Sequence, residues 1–380
     1  MASTSNDTNS TKIIPSMTSV DYTLLANRIG TLIYSIIYLL GFVGNTLALI
    51  TFSSRRMCQI SSSIFLLALS ISDSLALVTS LWHFLADAFQ IYLQNYSALA
   101  CRCRMFFAYV FMDLSSWCIA GLAFDRYLRT RLPLSSKTLC TPRNASITIL
   151  IFFLALCGIN GHYFSPGIGQ ERGGNRTQAH CLENRLEYPR YYYFYKIIWP
   201  KIDMAIFCFL PACIMILCNV NIIYLVKRQR HTLEHTNNDS QDIIKPPIPI
   251  YQTISGGSSI KKPPANTHRK ALERQMSLMM AACVIVFLCT TVPVTICLLL
   301  LERTIMKNPY FGRDNAFFIF IFRIVRTLMN IHFGCNFYLY CLTSRIFRAE
   351  FMEAIRCRRA ISLLNPEQST SMMLHKIDDV

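Results

Sequence analysis

The chain has 380 residues, of which 53% are hydrophobic and only 15% are charged, with a formal net charge of +16. Soluble domains carry about 25% charged residues, so this composition excludes a soluble enzyme, a secreted disulfide scaffold and a disordered protein. The apolar residues fall into blocks of roughly 20 residues, and a helix of that length crosses a hydrocarbon core ~30 Å thick. We therefore predict an all-α membrane protein that crosses the bilayer several times.

The first predicted element is an N-terminal tail over 1–28, which is rich in Ser, Thr and Asn and has no apolar core, so we expect no cleavable signal peptide. Seven apolar spans follow within 29–341, the predicted membrane domain. The spans are predicted at 29–52, 61–85, 101–128, 147–164, 198–226, 275–301 and 315–341. The polar segment 227–272, which contains several Pro and Gly residues, is predicted to be a flexible loop.

The remaining segment, 342–380, contains no eighth span. Phe347, Phe351 and Ile355 form an apolar stripe at helical spacing among basic residues, which predicts a short amphipathic helix on the cytoplasmic membrane surface. Cys357 lies at the end of this helix and is a candidate palmitoylation site. The alternative is that Cys357 is a free cysteine.

The orientation of the spans is predicted from two independent signals. Most of the 37 Lys and Arg residues lie in segments that are cytoplasmic if the N-terminus is outside. The glycosylation acceptors of the form Asn-x-Ser/Thr that then lie outside are Asn6, Asn9, Asn95 and Asn175. We therefore expect an extracellular N-terminus, a cytoplasmic C-terminus and glycosylation at these four asparagines.

Most of the 16 cysteines lie inside apolar spans, where they behave as small hydrophobic residues. Cys101, Cys103 and Cys181 lie in segments that can face an oxidising compartment. Arg126, at the end of the third span, follows Cys101 by 25 residues, or about 37 Å of helix. This length places Cys101 at the outer face within reach of Cys181, and Cys103 remains a competing partner.

Polar residues in the middle of the spans need an explanation, because a charged group there costs about 2.5–3.5 kcal/mol on insertion scales. Asp73 lies in the middle of the second span, and Asn45, Ser115 and Asn336 lie at similar depth in the first, third and seventh. This set can hold a monovalent cation such as sodium. It can equally be a polar cluster that only fastens the helices together, and no other cofactor is expected.

A second set of polar residues lies in the outer half of the spans and forms the predicted ligand site. Arg323 and Arg326 are spaced i,i+3 and share one helix face, so they can bind a ligand carboxylate or pair with nearby acidic residues. The alternative is that both arginines extend to the membrane interface. Asp203 can pair with an arginine of a basic peptide. The predicted ligand-binding residues are Trp82, His83, Asp203, Glu302, Arg323 and Arg326.

The order and spacing of several motifs resemble the rhodopsin-like G-protein-coupled receptor family over residues 29–357. The first four matching motifs are Gly44-Asn45, Leu69–Asp73, Cys101 with Cys181, and Asp125-Arg126-Tyr127. Those of the last three spans are Pro211, Phe287 with Pro293, and the run Asn336–Tyr340. The resemblance implies a bundle of seven transmembrane helices and a disulfide between Cys101 and Cys181.

The same resemblance implies how the chain signals. In the family, an agonist shifts the bundle toward an open state, in which Arg126 releases Asp125 and contacts a heterotrimeric G protein. The residues assigned to coupling and activation are Asp125, Arg126, Tyr127, Phe287, Pro293, Asn336 and Tyr340. Receptor kinases and arrestin are further expected partners of the C-terminal tail, membrane lipid surrounds the spans, and no nucleic-acid partner is expected.

Two departures from the family pattern bear on activation. Thr291 lies where the family has a tryptophan two residues before the sixth-span proline, and Phe337 replaces the proline of the seventh-span motif. The usual aromatic switch is therefore in question, and the effect of both residues on activation stays open. The run from Asn336 to Cys341 is similar to invertebrate FMRFamide-type neuropeptide receptors.

The ligand class is narrowed by two comparisons within the family. Ala108 occupies the position where monoamine receptors carry an aspartate, and 315–341 contains no lysine that could bind retinal. We therefore predict a plasma-membrane receptor for a small neuropeptide, without enzymatic activity. The alternatives are a receptor for a small acidic metabolite, a non-signalling decoy, and an ion-coupled transporter that uses Asp73 and Asp113. The absence of an internal repeat disfavours the transporter.

Overall fold

The computed structural model describes residues 17–171, 179–243, 279, 281–297, 300 and 316–363. Helices α1 to α7 correspond to the seven predicted spans, and α8 follows them. Apart from α5, their bounds are α1 Met17–Phe52, α2 Ser61–Phe89, α3 Ala98–Arg131, α4 Pro142–Asn160, α6 Ala281–Cys297, α7 Ala316–Thr343 and α8 Arg345–Leu363. Within the described residues, the first five helices are long and apolar enough to cross a membrane, and α6 is a shorter apolar helix.

Two π-helical segments interrupt helix α5. Its consecutive segments are the α-helix Pro189–Tyr193, the π-helix Phe194–Ile198, the α-helix Trp199–Met204, the π-helix Ala205–Phe209 and the α-helix Leu210–Ile243. Each π segment ends two residues before a proline, Pro200 or Pro211. A proline cannot donate the backbone hydrogen bond that continues an α-helix, so the two prolines account for the two wide turns. The α-helical segment between these turns carries Asp203.

Two helix boundaries differ from the prediction. Helix α1 begins at Met17, inside the predicted tail 1–28, and α5 continues to Ile243, inside the predicted flexible loop 227–272. Neither added stretch contains Gly or Pro, the residues that most disfavour a helix. Apolar composition therefore marks the part of a helix that lies in the membrane, while the helix itself continues until its backbone is interrupted.

Helix α3 lies at the centre of the bundle and packs against α2, α4 and α5. Its buried positions include the small residues Ser116, Ala120 and Ala123, and small residues let membrane helices approach closely. Helices α1 and α7 meet at Gly41 and Gly334, where a Cβ on Gly334 would lie 3.1 Å from Gly41 Cα. A larger residue at either glycine would push these two helices apart.

The outward faces of the helices carry large apolar side chains. Leu39 in α1, Leu154 in α4 and Leu217 in α5 are 65%, 59% and 63% exposed in the isolated chain. Contiguous apolar surface of this kind marks a membrane or protein contact rather than a water-facing surface. The same helices bury polar residues in the interior of the bundle, so their polarity is arranged for a lipid environment.

A two-stranded antiparallel hairpin covers one end of the bundle, and the all-α prediction did not include it. Its strands are β1 Ile168–Glu171 and β2 Ala179–Glu183. A disulfide between Cys101 and Cys181 joins the hairpin to α3, whereas Cys103 is a free thiol. The predicted disulfide is therefore confirmed. We call this end of the bundle the disulfide end.

The register of the hairpin shifts at Gly169. The paired residues on either side of the shift are Ile168 with Glu183 and Gln170 with His180. Gly169 has a φ of 75°, a conformation that favours glycine, and a Cβ at this position would lie 3.0 Å from Ala98 Cα. The hairpin can therefore approach the first residue of α3 closely only because this position is a glycine.

Helix α8 packs against α1 and α7 through its apolar face, as expected for the predicted amphipathic helix. The ring of Phe347 lies 5.2 Å from the ring of Phe52, and the ring of Phe351 lies 5.3 Å from the ring of Phe337. Phe337 also contacts Phe347, at 5.7 Å. The phenylalanine that replaces the family's proline therefore fills the junction between α7 and α8.

Candidate functional site

The half of the bundle nearer the disulfide end contains a cavity of about 400 Å³. Its apolar lining includes Met105, Met112, Phe207 and Phe333. Its polar lining includes His83, Arg104, Lys196, Asp203 and Arg326. Ligand pockets occupy about 300–1,000 Å³ and combine an apolar lining with a few polar groups. The cavity has this composition, and its volume holds a few side chains but not a whole folded peptide.

Three of the predicted ligand-binding residues line this cavity: His83 on α2, Asp203 on α5 and Arg326 on α7. Trp82 does not line it, although the sequence analysis placed it in the ligand site. Adjacent residues of an α-helix point about 100° apart, so the side chain of His83 reaches the cavity and that of Trp82 is directed elsewhere.

The other two predicted ligand-binding residues cannot be placed in the cavity. Glu302 lies outside the described residues. The backbone of Arg323 belongs to α7, but its side chain is outside the described part of the structure. The predicted clamp of Arg323 and Arg326 therefore stays a prediction.

Arg104 is a cavity residue that the sequence analysis missed. It lies on α3, and its Nη1 is 2.6 Å from Nε2 of His83 on α2. A guanidinium can only donate hydrogen bonds, so Nε2 of His83 accepts and the proton of this imidazole is on Nδ1. Arg104 lies four residues before Ala108 and thus on the same helix face. A polar residue one turn before Ala108, on the helix face that turns toward the ligand in monoamine receptors, is the sequence signal that predicts Arg104 as a cavity residue.

The deep end of the cavity is formed by aromatic side chains. Phe207 and Phe333 line it, and the ring of Phe287 on α6 lies 6.3 Å from the ring of Phe207 and 5.3 Å from the ring of His332. Thr291, which replaces the family's tryptophan, is buried and donates a hydrogen bond from Oγ1 to the carbonyl of Phe287, at 2.6 Å. Phe287 therefore provides the aromatic contact of α6 here, six residues before Pro293.

Pro293 itself is exposed on α6. Its missing N–H leaves α6 without one backbone hydrogen bond, so the helix can bend close to Thr291 and Phe287. Of the two predicted activation residues of α6, the structure places Phe287 beside the cavity-lining Phe207 and Pro293 on the exposed face of the helix.

Asp113 is buried between α3 and α4, away from the cavity lining. Its Oδ2 accepts a hydrogen bond from Nδ2 of Asn160, at 2.9 Å. Its carboxylate also interacts electrostatically with that of Asp203. The sequence analysis left Asp113 out of the ligand-binding set, and the structure does not place it in the cavity lining.

The polar residues in the middle of the spans meet around Asp73. Its two carboxylate oxygens accept hydrogen bonds from Ser115 Oγ at 2.5 Å and Asn336 Nδ2 at 2.7 Å. Asn45 does not bond to Asp73 but donates to the carbonyl of Phe333, at 3.0 Å. Its buried Oδ1 has no hydrogen-bond partner among the described residues. A carboxylate and an amide oxygen are ligands suited to a hard cation, so these residues fit a sodium ion.

At the opposite end of α3, Asp125 is held by residues other than Arg126. Its carboxylate accepts hydrogen bonds from Ser61 Oγ at 2.5 Å and Ser62 Oγ at 2.7 Å. Nε of Arg129 pairs with it at 3.1 Å. The expected ion pair between Asp125 and Arg126 is therefore replaced by one with Arg129, because residues four apart on a helix share a face and adjacent residues do not.

The remaining predicted coupling residues lie near this end of the bundle. Nε of Arg126 is buried without a hydrogen-bond partner in the described chain, and Tyr127 is half-buried, with its ring 6.2 Å from that of Phe124. Tyr340 is fully buried, and its ring contacts Phe52 at 5.7 Å. These side chains lie below the Asp73 cluster, on the side away from the cavity.

Of the predicted modification sites, Asn95 is described by the structure. It ends a 3-10 turn before α3, and its Oδ1 accepts a hydrogen bond from the backbone N–H of Cys181, at 3.2 Å. Asn6, Asn9 and Asn175 lie outside the described residues, and the side chain of Cys357 lies outside the described part of α8. Glycosylation and palmitoylation therefore stay predictions.

Comparisons with known proteins agree with this arrangement. The sequence profile of the family described as "7 transmembrane receptor (rhodopsin family)" matches residues 44–343. Human galanin receptor type 2 is 34% identical over 150 residues, which make up 39% of this chain and 38% of that receptor. A probable G-protein-coupled receptor of Caenorhabditis elegans is 22% identical over 333 residues, or 84% of this chain and 67% of that protein.

Human olfactory receptor 10H1 is 30% identical over 143 residues, or 33% of this chain and 45% of that receptor. The matches to the galanin receptors of human, mouse and rat cover 38% to 40% of the length of those receptors. The family match, in contrast, extends from α1 to the last residue of α7.

Proposed function

The chain belongs to the rhodopsin family of seven-transmembrane receptors, and we propose that it is a receptor for a small neuropeptide that activates heterotrimeric G proteins. Family membership confirms the seven-helix bundle and makes the chain a multi-pass membrane receptor rather than an enzyme. The observation that carries the peptide proposal is the cavity, which presents cationic groups and a carboxylate on one apolar lining. The similarity to galanin receptors, which are neuropeptide receptors, supports it.

We further propose that the disulfide end faces the outside of the cell and the opposite end faces the cytoplasm. Disulfides form in oxidising compartments, and Cys101 and Cys181 mark one end of the bundle. Arg126, Arg129 and Arg131 lie at the other end of α3, and an excess of basic residues is typical of cytoplasmic segments. This orientation agrees with the glycosylation acceptors and with a plasma-membrane location.

The volume of the cavity supports binding of one end of a peptide rather than a whole peptide. A cavity of about 400 Å³ accommodates two or three side chains, so the remaining residues would contact the hairpin and the ends of the helices. Asp203 offers a carboxylate to a basic group of such a ligand. Arg326 on α7 and Arg104 on α3 make part of the lining cationic, beside the neutral His83.

Activation is proposed to pass from the deep end of the cavity to the Asp73 cluster. A ligand in the cavity touches Phe207 and Phe333, which pack around Phe287 and His332. The carbonyl of Phe333 accepts a hydrogen bond from Asn45, and Asn336, three residues after Phe333 on α7, donates one to Asp73. These contacts form a continuous packed connection, and a ligand that prefers one arrangement of them shifts the receptor toward it.

The experiment that tests the proposed function is G-protein activation in transfected cells. The cells are challenged with galanin and a panel of amidated neuropeptides and, in parallel, with small carboxylates. Activation by a peptide at submicromolar concentration is the expected result. A response to carboxylates alone would favour the second candidate, a receptor for an acidic metabolite, which the cationic lining formed by Arg104 and Arg326 also suits. If neither the peptides nor the carboxylates activate a G protein, although the receptor is shown to be at the cell surface, the peptide proposal is contradicted.

Replacing Arg326 by alanine is expected to lower agonist potency by at least about tenfold, or about 1.4 kcal/mol, without lowering surface expression. The reason is that Arg326 lines the cavity and adds to its positive potential. The measurement is a concentration–response curve with surface labelling of the same cells. Arg326→Lys is the control, since it keeps the charge. A parallel loss of potency and of surface expression would show a structural role instead.

We propose that Asp73 and Asn45 hold a sodium ion that stabilises the inactive state. Replacing sodium by choline at constant ionic strength is then expected to raise agonist affinity several-fold, and Asp73→Asn is expected to remove this dependence. Asp113→Asn, which neutralises another buried carboxylate of the bundle, is the control and should keep it. If the unchanged receptor binds agonist equally in both salts, the cluster only fastens the helices.

A further inference from the structure

Arg104 carries a positive charge in the interior of the bundle. The residue is only 7% exposed, and arginine stays protonated in proteins. Its Nη1 donates a hydrogen bond to the neutral Nε2 of His83, and its Nη2 donates one to the sulfur of Met105. Neither acceptor carries a negative charge, so neither compensates the charge of Arg104. A buried charge without a partner of opposite sign costs several kcal/mol, so the surroundings of Arg104 need an explanation.

No carboxylate of the described chain provides that compensation. None of the described acidic groups lies within 4.0 Å of Arg104, the distance of an ion pair. Its Nε is buried and has no hydrogen-bond partner among the described residues. The residue lines the cavity, so a molecule bound there can contact it.

The lining around Arg104 increases the positive potential rather than reducing it. Arg326 acts electrostatically on both Arg104 and His83. The Nδ1–H of His83 is a further donor on this side, because Nε2 is the acceptor. The side of the cavity formed by α2, α3 and α7 therefore presents donors and positive charge.

The segment Trp199–Met204 of α5 contributes the opposite charge, while Lys196 in the preceding π segment of α5 also lines the cavity. Asp203 is the acidic residue among those that line the cavity, and its Oδ1 has no hydrogen-bond partner in the described part of the chain. The phenol of Tyr109, which also lines the cavity, interacts electrostatically with both Asp203 and Arg104. The neighbouring Asp113 adds negative potential at Asp203.

We infer that Arg104 anchors a carboxylate of the ligand, and that the ligand lies across the cavity with this carboxylate toward Arg104 and a basic group toward Asp203. The inference rests on the proposed function in taking the cavity as the ligand site, and it adds the charge and orientation of the ligand. A carboxylate matches the fork of a guanidinium with two parallel hydrogen bonds. The basic group relieves the repulsion between Asp203 and Asp113.

The test uses the full chain purified into lipid nanodiscs, with benzoate as a carboxylate probe and benzamide as its neutral counterpart. A molecule that binds the folded state raises the melting temperature. Millimolar benzoate is expected to raise the melting temperature of the unchanged receptor, and benzamide is not. In Arg104→Gln, the affinity for benzoate is expected to fall at least about tenfold, as when a buried charge loses its partner.

Arg190→Gln is the matched control, because it removes the same charge from an exposed residue at the disulfide end. It is expected to keep the full benzoate shift. Without any probe, Arg104→Gln is expected to melt at a higher temperature than the unchanged receptor, since it removes an uncompensated buried charge. A residue that only supports the fold would give the opposite sign. Benzylamine, a probe for the basic group, is expected to lose its shift in Asp203→Asn.

A benzoate shift of equal size in Arg104→Gln, or none in the unchanged receptor, would overturn the inference. Arg104→Lys and the comparison of benzoate with benzamide keep it testable if the glutamine variant does not fold. These measurements do not involve a G protein. A receptor that shows the benzoate shift but never signals would contradict the proposed function alone. Peptide signalling unaffected by Arg104→Gln would contradict the inference alone.

Discussion

Replacing Arg126 by alanine is expected to abolish G-protein activation, while agonist affinity stays close to that of the unchanged receptor. Arg126 lies at the end of α3 opposite the cavity, and the ion pair of Asp125 is formed by Arg129. Removing the Arg126 side chain therefore breaks no ion pair among the described residues, so the bundle should keep its stability. The measurements are agonist-stimulated G-protein activation and equilibrium binding of a labelled agonist to the same membranes.

Arg131→Ala is the matched control for this experiment, because it removes a charge from an exposed position in the last turn of the same helix. It is expected to signal normally. Arg129→Ala is expected to lower surface expression. In this variant Asp125 keeps its hydrogen bonds to two serines but loses its ion pair. Signalling that survives in Arg126→Ala would refute the G-protein contact assigned to this residue.

Replacing Cys101 by serine is expected to remove most of the receptor from the cell surface. The disulfide joins residues separated by 80 positions, and loss of such a bond costs about 2–5 kcal/mol. Hydrogen bonds that would still join the hairpin to α3, such as Arg102 Nε to the carbonyl of Ile168 at 2.8 Å, contribute about 1 kcal/mol each. The hairpin would therefore detach from the bundle, and agonist affinity would fall with it.

Cys103→Ser provides the control, because Cys103 is a free thiol two residues from the disulfide. Surface labelling and agonist binding are expected to stay close to those of the unchanged receptor. Cys181→Ser is expected to reproduce the loss seen in Cys101→Ser, and the double variant to lose no more than either alone. Normal expression of Cys101→Ser would mean that the hairpin is held without the disulfide.

The residues around Asp73 show what could be predicted about the site. Asp73, Ser115 and Asn336 were grouped because they lie at similar depth in different spans, and the structure brings them into hydrogen-bonding distance. Depth follows from sequence position, since each residue advances a helix by about 1.5 Å. Asn45 was grouped with them for the same reason, but it bonds to the carbonyl of Phe333, because depth does not give the direction of a side chain.

Trp82 and Arg104 show why part of the ligand site could not be predicted. Both are polar or aromatic residues in the correct half of the bundle, yet only Arg104 lines the cavity. Which face of a helix is turned to the interior depends on its rotation against its neighbours, and that rotation results from packing over the whole bundle. The hairpin was missed for a related reason, since its short strands are held by a disulfide and by contact with α3 rather than by their own composition.

The sequence by itself determined that the chain forms a bundle of seven membrane helices, with a disulfide at one end and an amphipathic helix after the last span. It also determined the family of signalling receptors to which the chain belongs. These properties depend on the composition of continuous segments and on motif spacing along one helix, both of which are local. Only the tertiary structure decided that Asp125 pairs with Arg129, that Arg104 meets His83 and that Asp203 lines the same cavity. Contacts of this kind depend on the distance and rotation between helices, which no single segment encodes.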